Sequence, residues 1–455
     1  MKFTSISLSV SMSSVFCLAL SSSCKTAGQG SSDVKFGAGE HLLLGNRAYA
    51  EVCPSGCLNL LPLANSGEEK IPRKDGKEYF SYGELVAFSG DFFPTPASLD
   101  NSREARHIFD KIFNKNYKNV SKTKDLFANE VETIEEQITF EDSTEASEAP
   151  EVGDENLGYF TAFGWEYLEM SICNFDHFGW ENMKRYVEFH SEALELALAA
   201  NAEQDPGMKT ETLRQALIAN AFADHFLTDG FAAGHIRVPR KQGLTWQKVV
   251  CDKPAGETRD QEKARLAGNK QGKAVGAMAK FQHDNDHRFA AGSSGNKGLK
   301  VLNAKGQRWQ TRSDGELYIA ASQDDTAVRM PVHAVRLSIL EVMNAYSRGV
   351  VPSGVYAAAE LVPFIDPNEQ PITQTFPADM SLEQVKARMN QNVSLLEKAS
   401  RAISNVTPAF AQSYFAQGPQ LMAQFRADVA ADIRANPQLQ KRLPVAYLNG
   451  YLNVQ

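Results

Sequence analysis

Histidine and tryptophan are scarce in this chain, and basic residues do not dominate it. Its 455 residues include nine histidines, six cysteines and four tryptophans, and its 47 lysines and arginines fall short of its 55 aspartates and glutamates, a formal charge of −8. Affinity for nucleic acid comes largely from basic side chains that neutralise phosphates, so this balance argues against a general polyanion binder while leaving room for a local basic groove. No stretch approaches the roughly 18 uninterrupted apolar residues of a spanning helix, which excludes a polytopic membrane fold. Hydrophobic residues at 43% and charged residues at 22% are ordinary for a globular protein, so disorder is excluded as well. The length suffices for one large domain and a smaller one.

Lys2 precedes an uncharged, apolar and hydroxyl-rich run that ends in small residues before Cys24, and residues 1–24 read as an export signal. Ser21-Ser22-Ser23-Cys24 resembles a bacterial lipoprotein cleavage box with its leucine displaced to Leu20. Two outcomes stay open: a lipid anchor on Cys24 at the bacterial cell envelope, or an ordinary signal and a secreted protein. Export to an oxidising compartment permits disulfides. Cys53 and Cys57 are expected to bridge rather than to bind zinc, because no second such pair follows; Cys173 and Cys251 either pair or stay buried.

From Asp33 to about Asp100 the pattern predicts loops and short helices, and residues 126–155 are an acidic, solvated stretch. Apolar residues recurring near i, i+3, i+4 and i+7 predict strong helices at about 180–201 and 208–229, with a further helix over 326–348. Glycines punctuate 288–316 as a long irregular excursion. The expected fold class is all-α, with a main domain over 25–361, a Pro-rich linker over 362–379 and a C-terminal helical segment over 380–455.

The few histidines cluster with carboxylates. His225 and Asp229 are four residues apart, so a helix places both on one face, where imidazole and carboxylate can chelate one metal. Gly230 and Gly234 flank the next residues and are expected to let the chain turn closely, bringing His235 alongside. His177 lies just before a helix start. His283, Asp284, Asp286 and His287 pack four candidate ligands into five residues, against the blander reading of a solvated polar turn. Asp91 follows a glycine after an apolar stretch, and His41 follows Glu40 before another; each alone is equally well an ordinary helix-end or surface residue. His107, His190 and His333 are expected to serve packing or surface roles, His190 with the further option of supporting a ligand.

In this order, the residues resemble the zinc-dependent phospholipase C and P1-type nuclease superfamily, over about His41 to Asp286. The most specific part is the H-x3-D-x5-H segment formed by His225, Asp229 and His235. The resemblance implies an all-helical fold with two or three zinc ions. Asp91, His177, His225 and Asp229 would hold the first, Asp229 would bridge to one shared with His41, and His235 and His283 would hold another. Asp91 is implied as general base as well as ligand. The chain departs from the family pattern twice. Position 287 is histidine where the family has an acid, leaving Asp284, Asp286 or His287 to complete that site. The first tryptophan is Trp165, where the family begins its mature chain with one that binds zinc, a role Glu40 would have to assist. The expected activity is a phospholipase C acting at a membrane surface; a single-strand nuclease or nucleotidase, or a non-catalytic metal-binding lipoprotein, are the alternatives.

Overall fold

The computed structural model describes residues 38–58, 69–74, 76, 79–101, 105, 108, 172–251, 254, 256–258, 261, 264–265, 268–287, 298–312, 317, 326–390 and 406–454, with the backbone alone at 101, 284 and 287. The export signal with Cys24, the acidic stretch 126–155 and His107 lie outside the described residues.

The described chain is mostly helical. In order come α1 (Ala38–Val52), β1 (Ile71–Pro72), β2 (Tyr79–Phe80), α2 (Tyr82–Phe88), α3 (Pro96–Asn101), α4 (Trp180–Ala202), α5 (Pro206–Asp229), α6 (Ala233–Ile236), α7 (Arg240–Trp246) and α8 (Lys270–His287). Then follow β3 (Leu299–Leu302), β4 (Arg308–Thr311), α9 (Thr326–Arg348), β5 (Phe364–Ile365), α10 (Ile372–Thr375), α11 (Leu382–Asn390), α12 (Pro408–Ala416), α13 (Gly418–Ala435), α14 (Pro437–Arg442) and α15 (Val445–Leu452).

The helices predicted from periodicity form the scaffold. Asp205 caps α5 by accepting from the Met208 amide at 2.8 Å, and Pro206 occupies the first turn, where its missing N–H is no loss. Ser81 and Glu84 form a reciprocal capping box at the start of α2. Ala193, Ala197 and Ala200 on α4 and Ala216, Ala219 and Ala223 on α5 are fully buried at helical spacing, so neighbouring helices approach closely. α4 and α5 pack along one another, α9 lies across both and against α1, and α2 rests on α1 and α5. Packing this dense makes enlargement costly: Ala197→Leu is expected to lose about 1–3 kcal/mol.

Two regions differ from their sequence reading. Within 288–316, Leu299–Leu302 and Arg308–Thr311 form an antiparallel hairpin, to which Phe364–Ile365 adds a third strand. Alternation of buried Leu299 and Val301 with exposed Lys300 is a strand signal too short to stand out among the surrounding glycines. Residues 362–379, expected to be a linker, supply that third strand and bury Val362, Phe364, Ile372 and Phe376. Their prolines interrupt helix without separating a domain. The C-terminal helices close on the same core: Trp180 packs against Tyr447 and Tyr451, and its indole N–H donates to Asp432 at 3.0 Å. Cys53 is bonded to Cys57, and Cys173 to Cys251. None of the described helices is long and apolar enough to cross a membrane.

Candidate metal centre

The last turn of α5 brings His225 and Asp229 to one face, both fully buried. Asp229 is the hub. Its Oδ2 lies 2.8 Å from His177 Nδ1 and 3.6 Å from His225 Nε2, while its Oδ1 lies 3.0 Å from His235 Nδ1 and 3.6 Å from His41 Nε2. Four imidazoles from four separate segments therefore surround one carboxylate, two at each oxygen. α1 delivers His41, a 3-10 turn over Phe175–His177 delivers His177, α5 delivers His225, and α6 delivers His235. On the other side of His177, its Nε2 stands 3.7 Å from Asp91 Oδ1 and 3.8 Å from Asp176 Oδ1. The Asp91 and Asp176 side chains are 8% and 26% exposed, against 0–1% for the histidines and Asp229, so the cluster opens to solvent past these two acids.

Two triads bring one ligand atom from each member within 4.8 Å of the others: His41, His225 and Asp229, and Asp91, His177 and His225. Each can hold a metal ion. Backbone and side-chain partners orient the rings from behind. His225 Nδ1 donates to the Val86 carbonyl at 3.0 Å, which turns Nε2 toward Asp229. His41 Nδ1 lies 2.7 Å from Thr228 Oγ1. Gly90, in the left-handed region at φ +71, is a second signature of crowding: a β-carbon there would fall 2.8 Å from the His225 ring and 2.9 Å from that of His177.

Beneath the cluster lies a buried polar layer. Tyr82 donates to Asp224 Oδ2 at 2.6 Å, and Asn220 Nδ2 donates to the same oxygen at 3.0 Å. His190 sits between Asn220 Oδ1 at 2.7 Å and Glu341 Oε2 at 2.8 Å, and so supports this layer rather than a metal-facing ring. Burial pushes the Asp224 carboxyl up to about 7, against the hydrogen bonds from Ser338 and Tyr82 that pull it down. The Tyr82 hydroxyl is pushed up by burial first and by Asp224 second.

At the far edge the His235 and His283 rings lie 5.1 Å apart, and Phe178 packs against both. Phe178 also carries the buried Arg240 guanidinium over its ring at 4.8 Å, and burial lowers that arginine to about 10. Gly234 owes its place to His283 rather than to a turn: a β-carbon would run into that ring, and Gly230 adopts ordinary right-handed helical angles at φ −61. The close turn expected of these glycines is instead made by backbone bonds from Phe231 to Thr228 and from Ala232 to Asp229. Asp286 points to a different partner. Arg237 grips it with two bonds, 2.8 Å from Nε and 2.7 Å from Nη2, and both side chains are buried. A carboxylate held this way is engaged by a guanidinium and is not turned to the histidines. The side chains of Asp284 and His287 lie outside the described residues. Glu40, weighed as a helper at the metal, accepts from the Leu317 amide at 3.1 Å.

Comparison with family models, with curated proteins and with solved structures finds no match. Sequence reading passed over Asp176, Thr228, Val86, Gly90 and Arg237. Asp176 sits directly before His177, a carboxylate beside a chosen histidine, and that adjacency was its signal. The Val86 carbonyl carried none, being backbone.

Proposed function

We propose that the chain is a zinc-dependent phosphodiester hydrolase of the phospholipase C and P1-type nuclease fold, and that its substrate is a phospholipid. The observation that carries this reading is the Asp229 carboxylate, faced by His177 and His225 at one oxygen and by His41 and His235 at the other. A buried acid with two oxygens aimed at separate imidazole pairs suits two neighbouring cations better than one. Nitrogen and oxygen donors without sulfur fit zinc in a catalytic rather than a closed structural role, and the space kept clear at Gly90 supports the fit. Asp91, His177, His225 and Asp229 would hold one ion, His41 with Asp229 another, and His235 with His283 a further one.

When bound, zinc lowers the pKa of water toward about 7 and offsets negative charge developing on phosphate oxygens. Asp91 lies at the open edge of the cluster, where its carboxylate can accept the proton released as water attacks phosphorus. His41, His225 and His235 each turn one nitrogen to Asp229, while His177 faces Asp229 with Nδ1 and Asp91 and Asp176 with Nε2. Phe178 and the surrounding apolar core keep bulk water from the inner donors. A formal charge of −8 supports a lipid phosphodiester over a long polyanion.

The test is to supply the zinc-loaded full chain with phosphatidylcholine vesicles and, separately, with single-stranded DNA. Phosphocholine release that is abolished by chelation, and lowered about 100-fold or more in Asp91→Asn, is expected. Cleavage of nucleic acid alone would replace the lipid reading with the nuclease one. Metal binding without hydrolysis of either would leave a non-catalytic metal protein.

A further inference from the structure

Thr228 lies between the two ligand positions of α5, three residues after His225 and one before Asp229, and it is fully buried. Its hydroxyl oxygen sits 2.8 Å from the Asp224 carbonyl, 2.8 Å from the His225 carbonyl and 2.7 Å from His41 Nδ1. A hydroxyl has one proton. Carbonyl oxygens only accept, so a proton directed at His41 would leave oxygen facing oxygen at 2.8 Å twice over with nothing between them. The proton therefore belongs on the carbonyl side, as in the back-bonds that threonine makes inside helices. The lone pair that remains accepts from His41, which places the ring proton on Nδ1 and bares Nε2. That nitrogen is the one 3.6 Å from Asp229 Oδ1.

We infer that Thr228 is a positioning residue for the metal centre: it selects the His41 tautomer whose Nε2 lone pair faces Asp229, and holds the ring in that direction. The Val86 carbonyl does the same for His225 from α2, and the two rings stack 4.3 Å apart with both proton-bearing nitrogens turned outward. His41 and His225 come from helices distant in sequence, and α5 carries both the Thr228 hydroxyl at one nitrogen of His41 and the Asp229 carboxylate facing the other. Partners of this kind set ligand basicity and direction, and losing one typically weakens metal affinity about 10–100-fold.

This inference rests on the metal-centre reading, and the experiment separates them. Zinc affinity of the full chain is measured by competition with a chromophoric chelator for the wild type, Thr228→Ser, Thr228→Val and Thr228→Ala, with metal-free melting recorded for each. Thr228→Ser keeps the hydroxyl and is expected to bind like the wild type. Thr228→Val and Thr228→Ala are expected to lose about 10–100-fold in the weakest resolved site. In a His41→Ala background the same two substitutions are expected to cost no further affinity, because Thr228 acts through His41. A role in helix packing alone would lower metal-free melting and leave zinc affinity in place, which would overturn the inference. So would equal weakening by Thr228→Ser, or an undiminished effect without His41. A wild type that binds no zinc would overturn the metal-centre reading as well.

Discussion

Asp229 and Asp286 occupy equivalent places and have opposite fates. Each is a buried aspartate in the last turn of a helix, α5 or α8, and each has a histidine three or four residues before it. Four imidazoles face Asp229. Arg237 claims Asp286, while holding the Gln370 carbonyl with its remaining nitrogen at 2.5 Å. Burial demands a compensating partner for a carboxylate in either case. What differs is whether that partner is a permanent cation on the chain or a set of imidazole rings whose nitrogens can hold one from solution. Ligand availability therefore depends on which residue reaches the acid from elsewhere in the fold, and not on the density of acids and histidines around it.

Substitutions at the two aspartates should break this comparison most sharply. Asp229→Ala is expected to abolish zinc retention and to lower hydrolysis about 1000-fold or more, read by metal analysis and product release together. Asp286→Ala should leave that retention intact and instead strand the Arg237 charge, costing about 3–5 kcal/mol in chemical denaturation. Replacing both members of that pair with apolar residues of similar volume should recover most of the loss, since the pair itself contributes little once its desolvation is counted.

Asp224, one residue before His225, tests the layer below. Its folded-state value of about 7 lies above the unfolded one near 3.9, so between those limits the folded chain keeps a proton that the unfolded chain has released. Its contribution is therefore complete below about pH 4 and is lost as pH rises to 7. Asp224→Asn should gain on the wild type across that window by roughly 2–4 kcal/mol, and show no gain below it. Denaturation of the metal-free proteins at several pH values checks this. The smallest effect is expected at Gly90→Ala, where left-handed backbone and two crowded rings should cost about 1–3 kcal/mol and misplace Asp91, seen as lowered melting and weaker zinc binding.

Those contrasts mark what sequence could and could not show. α4 and α9 were legible because each buries one face over six turns or so, and periodicity accumulates with length; α5, buried on every side from Ala216 to Asp229, was legible as a long run of helix-forming residues. His225 with Asp229 was legible for a related reason: a single helix sets their geometry. His41, His177 and His235 were legible as residue types, but their convergence on one carboxylate depends on how α1, the 3-10 turn and α6 pack against α5. The capture of Asp286 was not legible, because Arg237 lies 49 positions away and reads as an ordinary basic residue. Nor was Thr228, whose hydroxyl in a helix ordinarily bonds only backward to its own turn.

The most direct test of the central claim is the zinc content of the purified, dialysed full chain by elemental analysis, with Asp229→Ala alongside. About two or three zinc ions per wild-type chain, lost in the variant while the fold persists, is the result predicted from the donors converging on Asp229. A wild type that retains no metal after loading would contradict it and leave the histidine cluster a feature of packing alone.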